Sequence, residues 1–566
     1  MPLGYTPLFP LLIGLAVGTV AASPALAQEC APAEAEATLS GAGVRANLFN
    51  NGALFWKRGA DGSVYEVPKG SGSHAVFTTV LWVAGQADGS DRFAGSDFGP
   101  YEFWPGPLGP GGAAPTPAFC AAYDRIWRVT LEDIARYNAT GEAAPDLVEW
   151  PYEVGAPVVD GDGLAGNYDL AAGDRPAIVG DETAWWIMND RGGSHDWGEL
   201  SPVGLEARVT AFTVSEAYAR QRLGLPPVFA RALHTATIYR YALTYKDAAP
   251  IQNMYIGLFM DPDLGFFSDD YVGSYPESEL AFIYNGDDFD EGTRGYGASP
   301  PALGVRMISG PAARPLGGFM IPFGSSSFLP SGQEAYQYLR GEWGDGSPLT
   351  YGGNGYNTGP ETDYLFSDLP PGFWSELDID AQGTSNIASD RNFLASHGPF
   401  RMVPGETVEV AFALVYSRSE SGHLASVRQL VLRDAPLVGG LAEEIGPDPE
   451  LRTITLTDLP TTGPPAPDPE ETPARYAVAE TVWPNPVTGD AVLRVDLPTE
   501  AHVRLAVYDV LGRRLAVPVD ETLSAAKHRL AIATAGWRTG TYLYRLAVTP
   551  SGQSAITAGG RFLIAR

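Results

Sequence analysis

Two stretches of the sequence place aspartates at an alternating spacing that suits a bound cation. The candidate ligands are Asp160, Asp162, Asn167 and Asp169 in the first loop and Asp261, Asp263, Asp269 and Asp270 in the second. Ca²⁺ takes about six to eight oxygen ligands, and a glycine-rich loop can curl to present them. We therefore expect these loops to bind Ca²⁺. The alternative is that both are solvated turns, because Asp and Gly also suit turn backbones.

The other reactive side chains form no recognised catalytic pattern. The seven histidines include no HExxH pair, and the sequence contains no GxSxG nucleophile elbow and no P-loop. Cys30 and Cys120 are the two cysteines, and export to an oxidising compartment would allow them to form a disulfide. Paired carboxylates can hydrolyse glycosides, but the sequence singles out no pair. We assign no catalytic residue.

Tryptophans are the second feature with two interpretations. They include the adjacent pair Trp185 and Trp186 together with Trp82, Trp104, Trp127, Trp150 and Trp197. Exposed tryptophan rings can stack on sugars and form a carbohydrate platform. More often, such large side chains fill the core of a β-sandwich.

Composition and patterning predict a mostly β protein. The 566 residues include 66 Gly and 48 Pro, which indicates many turns and short strands. The net charge of −30 argues against nucleic-acid binding, which requires a basic face. Period-2 patterning predicts a large antiparallel β-sandwich. Its clearest strands are predicted at 75–83, 206–214, 235–245, 255–260, 281–284 and 407–416.

Two segments have the pattern of helices. The first is 130–137, with Thr130 as the N-cap and Asp133 at the third helical position. The second is 421–432, whose apolar residues recur at helical spacing.

The first 27 residues have the pattern of a signal peptide. The apolar run at 11–20 precedes Ala25 and Ala27, which form a small-x-small cleavage site. The run is shorter than the roughly 20 apolar residues that span a bilayer. No Lys or Arg precedes it, which departs from the usual pattern. We expect export across the inner membrane and no transmembrane segment in the mature chain.

A Pro-rich acidic linker is predicted at residues 459–475. It separates a central region, residues 28–458, from a C-terminal domain, residues 476–566. The C-terminal domain differs in charge, because from residue 477 onward 10 Lys and Arg stand against 7 Asp and Glu. Alternating runs at 491–497, 503–508, 528–532, 542–548 and 561–564 predict a small antiparallel β-sandwich.

Sequence phrases in the C-terminal domain resemble a known transport module. WPNP, LRVDLPTEAHVRLAVYDVLGRRLA, GTYLYRLAV and RFLIAR resemble the type A C-terminal sorting domain of the type IX (Por) secretion system. The motif positions are Pro484, Asn485, Pro486, Gly512 and Gly540. Trp483 departs from the pattern, since Tyr or Phe is more usual there. The resemblance implies an Ig-like β-sandwich that outer-membrane secretion machinery recognises, and a secreted or cell-surface location.

The central region also resembles other secreted proteins. NLFNNGALFW, YDRIWRVT, GDETAWWIMND and DPDLGFFSDDYVG are similar to phrases in a group of secreted Bacteroidota proteins that carry the same sorting domain. This resemblance supports secretion and transfers no catalytic residue. We predict that the central region is a non-enzymatic, calcium-stabilised surface or binding protein. The alternative is a secreted glycan-binding or glycan-degrading enzyme, with an extracellular glycan as partner.

Overall fold

The structure is a computed structural model that confirms the mostly β fold class. It describes residues 29–59, 64–311, 317–321, 331–460, 477–478, 482, 487, 491–510, 513–550 and 555–565. Strands account for 38% of the chain and helices for 16%. Within these described ranges, no helix is long and apolar enough to cross a membrane.

The first sheet of the central region is antiparallel. Its strands lie in the spatial order Glu36–Leu39, Arg45–Phe49, Ala53–Leu54, Thr78–Ala87, Ile251–Asp261, Asn392–Met402 and Gly317–Ile321. Two further strands pair at its side: Tyr65–Glu66 with Arg45–Phe49, and Ser90–Ala94 with Thr78–Ala87.

The second sheet contains most of the remaining strands of the central region. Their order is Asp270–Tyr275, Leu280–Asn285, Ala302–Ser309, Thr407–Ser417, Ala236–Tyr245, Leu205–Thr213, Glu182–Asn189 and Trp104–Pro105, and Trp127–Thr130 also pairs with Glu182–Asn189. Two short pairs complete the region: Val158–Val159 with Arg175–Pro176, and Phe289–Asp290 with Gly297–Ala298.

The two sheets pack face to face, and helices cover the other side of the second sheet. Side chains alternate across a strand, so Trp186 enters the core between the sheets, whereas Trp185 packs under the helices. Both tryptophans are 1% exposed. The second sheet is therefore the middle of three layers, which explains why Glu182–Asn189 is buried along its whole length.

Helices form where local signals support them. The α-helices are Pro117–Ala122, Leu131–Thr140, Pro145–Val148, Glu216–Gln221, Pro227–His234, Gly332–Leu339, His423–Gln429 and Ala435–Glu444. Single 3₁₀ turns occur at Pro110–Gly112, Tyr152–Val154, Pro276–Ser278 and Leu456–Asp458. Thr130 caps its helix as predicted, in a reciprocal capping box with Asp133.

The helix predicted at 421–432 is longer than the pattern indicated. It begins at His423, passes through a π turn at Leu430–Asp434 and continues as Ala435–Glu444. Pro436 closely follows the π turn, where the backbone departs from the regular α-helical hydrogen-bond pattern that a proline would interrupt. This explains why the chain remains helical past a proline.

The C-terminal domain contains two small antiparallel sheets, which fit the predicted Ig-like sandwich. One holds Ala477–Val478, Ala491–Leu497 and Ala526–Ile532, and the other holds Arg514–Leu523, Ala501–Asp509, Gly540–Pro550 and Ile556–Ile564. A shared core joins them, with Val495 and Leu530 from the first and Leu505, Tyr544 and Phe562 from the second.

Candidate metal centre

The first aspartate loop is largely exposed, and its carboxylates accept hydrogen bonds from residues of the same loop. Asp160, Asp162 and Asp174 can present oxygens within 4.8 Å of one another. Of the predicted ligands, Asp169 lies outside this group. Asn167 lies beside it, because its Nδ2 donates to Asp162 at 2.9 Å while its Oδ1 is buried without a hydrogen-bond partner in the described structure. Asp169 instead accepts the N–H groups of Ala171 and Ala172 at 2.9 and 3.0 Å.

Backbone and side-chain donors already form hydrogen bonds with these carboxylates. Asp160 accepts the N–H groups of residues 162 and 163 at 3.1 and 2.6 Å. The amide of Asn167 and the N–H of Leu164 donate to Asp162 and hold its pKa below the ordinary range. Buried Asp174 accepts two further N–H groups, both at 2.7 Å. This geometry is that of a hydrogen-bonded acidic turn.

The second loop forms a different kind of cluster. Asp261 ends a strand of the first sheet, and Asp263 follows it. They meet Asp390, which lies two residues before the strand that starts at residue 392. Oxygens of the three carboxylates lie within 4.8 Å of one another. The two strands are neighbours in the first sheet, so the sheet itself brings Asp390 to this position.

The negative charges of this second cluster are largely buried and have few compensating partners among the described residues. Asp261 is 9% exposed, and no described residue donates a hydrogen bond to the side chain of Asp261 or Asp263. Desolvation, followed by repulsion from Asp390, raises the pKa of Asp263 to about 7, and Arg294 opposes the shift. Desolvation and repulsion from Asp263 likewise raise the pKa of Asp261 well above its ordinary range.

Asp269 and Asp270 lie next to this cluster rather than in it. Asp270 is 1% exposed, and its Oδ1 has no hydrogen-bond partner in the described structure. Its other oxygen accepts the N–H of Leu264 at 3.3 Å. Burial, then repulsion from Asp269, Asp290 and Asp263, raises its pKa well above the ordinary range. Burial also raises the pKa of Asp269 to about 7.

Sequence reasoning found Asp261 and Asp263 but missed Asp390. The signal that could have identified Asp390 is its place at the start of a predictable strand. Its partners, however, become evident only when the sheet order is known. Three carboxylates with oxygens this close could each contact one cation at the usual Ca–O distance of about 2.4 Å.

The other predicted site residues are placed as follows. Cys30 and Cys120 are joined by a disulfide beneath Trp104. Gly540 starts a strand with φ 154°, a conformation that favours glycine. The remaining positions, Ala25, Ala27, Pro484, Asn485, Pro486 and Gly512, lie outside the described residues.

Most of the tryptophans fill cores. Trp82, Trp104, Trp127, Trp150, Trp185 and Trp186 are at most 6% exposed. Trp82 stacks on Phe259 with ring centroids 5.0 Å apart, and Trp197 packs partly buried against the same cluster. The six buried rings offer no exposed face on which a sugar could stack.

Comparisons with solved structures give only weak similarity. A polysaccharide lyase, BACCELL_00875, is 7% identical with a TM-score of 0.19, covering 72% of this chain and 38% of that one. Dimeric latent PorU from Porphyromonas gingivalis is 11% identical with a TM-score of 0.14, covering 68% and 31%. The chain thus spans about a third of the length of either structure, and both scores are too low to carry an argument.

The C-terminal domain gives a specific match. No curated protein matches this sequence. Residues 481–555 match the family described as "Secretion system C-terminal sorting domain", in agreement with the sequence motifs and the two-sheet fold. This domain marks a protein for the type IX machinery and for the cell surface or the exterior. The chain therefore carries a type IX secretion C-terminal sorting domain and is a secreted or cell-surface protein.

Proposed function

We propose that the central region is a non-enzymatic surface or binding protein whose fold is stabilised by Ca²⁺ held at Asp261, Asp263 and Asp390. The observation that carries the proposal is the close approach of three carboxylates without a salt bridge among the described residues. Buried like charges are costly unless an opposite charge compensates them. A hard divalent cation would compensate all three at once.

The first aspartate loop supports the same role less strongly. Its carboxylates already have hydrogen-bond donors, and Asp160 and Asp162 are exposed. The alternative function, glycan binding or hydrolysis, lacks an equivalent observation, because six of the seven tryptophans that motivated it are buried and Trp197 is partly buried. We therefore place the cation at the second cluster.

Thermal unfolding of the full chain, with Ca²⁺ or with excess chelator, tests the proposal. Tryptophan fluorescence reports mainly on the central region, which holds ten of the twelve tryptophans. Binding to the folded state alone raises the free energy of unfolding by RT ln(1 + [L]/Kd), about 2.7 kcal/mol at 100 times Kd. We expect Asp390→Asn to remove most of this increase.

The matched control is Asp162→Asn in the first loop. It is the same chemical change in an aspartate loop of similar sequence, and it should leave the Ca²⁺-dependent increase intact. Equal melting temperatures with Ca²⁺ and with chelator for the unmodified chain would contradict the proposal. So would a loss of the Ca²⁺ response in the Asp162→Asn control alone.

A further inference from the structure

A cavity of about 720 Å³ lies on the helix-covered side of the second sheet. The strands Leu205–Thr213, Ala236–Tyr245 and Thr407–Ser417 contribute to its walls, together with the end of the helix Ala435–Glu444. This volume is within the range of about 300–1,000 Å³ that is typical of small-molecule sites. The cavity is separate from the aspartate cluster, with which it shares no lining residue.

Two arginines line this cavity, on adjacent strands. Arg208 donates from Nη2 to Thr244 Oγ1 at 2.8 Å, while its Nε is buried without a hydrogen-bond partner. Arg208 also packs closely against the backbone of Gly155, since a Cβ at Gly155 would lie 2.5 Å from Nη1. Arg240 donates to the carbonyls of Ala442 and Ile445 at 2.8 and 2.6 Å. Neighbouring backbone thus holds both guanidinium groups in place.

Neither arginine forms a salt bridge with a carboxylate of the described residues. This is notable in a chain with 67 acidic and 37 basic residues, where most partly buried arginines have an acidic partner close by. Three glutamates also line the cavity, Glu409, Glu443 and Glu444, but all three are exposed. Glu409 still acts on Arg240, since its charge opposes the lowering of the Arg240 pKa by burial. Water weakens the effect of exposed carboxylates, so the partly buried guanidinium groups dominate recognition inside the cavity.

We propose that the cavity binds a small organic oxyanion, a carboxylate or a phosphate, between Arg208 and Arg240. Guanidinium groups present several N–H donors in a fixed plane, which matches the oxygens of carboxylate and phosphate. Pro157 and Ile308 add apolar lining for the organic part. This inference is independent of the cation site.

Isothermal titration calorimetry of the full chain at low ionic strength tests the inference. The probes are galacturonate, glucose 6-phosphate and the neutral sugar galactose. We expect saturable binding of at least one anion and none of galactose. Comparing the two anions distinguishes a carboxylate site from a phosphate site. Added salt should weaken the binding, because screening reduces the attraction between charges.

Two variants make the test specific. Arg208→Gln should weaken anion binding by about tenfold or more, which corresponds to at least one lost charge-assisted hydrogen bond. Arg231→Gln is the matched control, because Arg231 is exposed on Pro227–His234 and does not line the cavity. If Arg208→Gln fails to fold, Glu409→Gln replaces it and should tighten binding by removing a negative charge. Absence of saturable binding, equal binding of galactose, or unchanged affinity in the folded variant used would overturn the inference.

Discussion

Replacing Asp263 by Asn should change stability in opposite directions without and with Ca²⁺. The three carboxylates of the cluster lie within 4.8 Å of one another, and at pH 8 their mutual repulsion opposes folding. Asparagine keeps the shape of the side chain and removes one charge. In chelator, the variant should therefore be more stable than the unmodified chain. With Ca²⁺, the variant should gain less, because it lacks one anionic ligand.

The distance between the carboxylates sets the size of the expected change in the free energy of unfolding. Two unit charges 4.8 Å apart repel each other by about 3.5 kcal/mol at an effective dielectric constant of about 20. Hydration of the half-buried Asp390 relieves part of this energy. We expect Asp263→Asn to raise the free energy of unfolding by about 1–3 kcal/mol in chelator. Saturating Ca²⁺ should reverse the order of the two proteins, since ligand binding at 100 times Kd contributes about 2.7 kcal/mol.

Urea unfolding at pH 8, followed by tryptophan fluorescence, measures both values. Asp162→Asn serves again as the control, and we expect a small loss of stability that is the same with and without Ca²⁺. The reasoning is refuted if Asp263→Asn is less stable than the unmodified chain in chelator. In that case Asp263 would contribute a favourable contact that its surroundings in the structure do not provide.

Three further predictions concern stability. Burial lowers the pKa of His397 to about 4, so the unfolded chain takes up a proton at higher pH than the folded chain does. As the pH falls from 6.5 to 4, we expect the free energy of unfolding to decrease by about 3 kcal/mol. His397→Leu should abolish this decrease, as measured by urea unfolding. A variant that retains the same acid-dependent loss would contradict this. Replacing Cys30 and Cys120 together by Ser opens a loop with a sequence separation of 90. The free energy of unfolding in denaturant should fall by about 4–5 kcal/mol. An unchanged denaturant midpoint would show that the disulfide does not limit unfolding. Phe562 is 1% exposed, and Phe562→Ala should destabilise the C-terminal domain by about 3–5 kcal/mol, as measured by calorimetry. A change in the Ca²⁺ response of the central region in this variant would show that the two regions are coupled.

Local patterns in the sequence were sufficient for much of the fold. Alternation predicted the strand at 407–416, and the structure has Thr407–Ser417. The Thr130 capping box predicted the start of a helix. The pattern did not predict the π turn at Leu430–Asp434, because apolar spacing that predicts a helix does not distinguish an α turn from a π turn. The order of the strands in each sheet could not be predicted from the sequence either, since it depends on contacts between strands that are distant along the chain.

The candidate site was only partly accessible from sequence for the same reason. Asp261 and Asp263 are close in sequence and were identified by spacing. Asp390 joins them through the pairing of two strands that lie far apart along the chain. The tryptophan pair at 185–186 shows that closeness in sequence does not imply a shared site. The two adjacent residues enter two different cores, and only a three-layer arrangement explains why both are buried.

The two aspartate loops differ in where their compensating charge comes from. In the first loop, backbone N–H groups donate to the carboxylates of Asp160 and Asp162. In the second, no residue that the structure describes donates to the side chain of Asp261 or Asp263, and under our proposal a cation supplies the charge. Extracellular modules bind Ca²⁺ with Kd of about 10⁻⁴–10⁻³ M, far above the affinity range of cytosolic sites. A site of that strength would stay empty before export and fill only where Ca²⁺ is abundant. The central region would then gain its full stability after the sorting domain has directed the chain to the cell surface or the exterior.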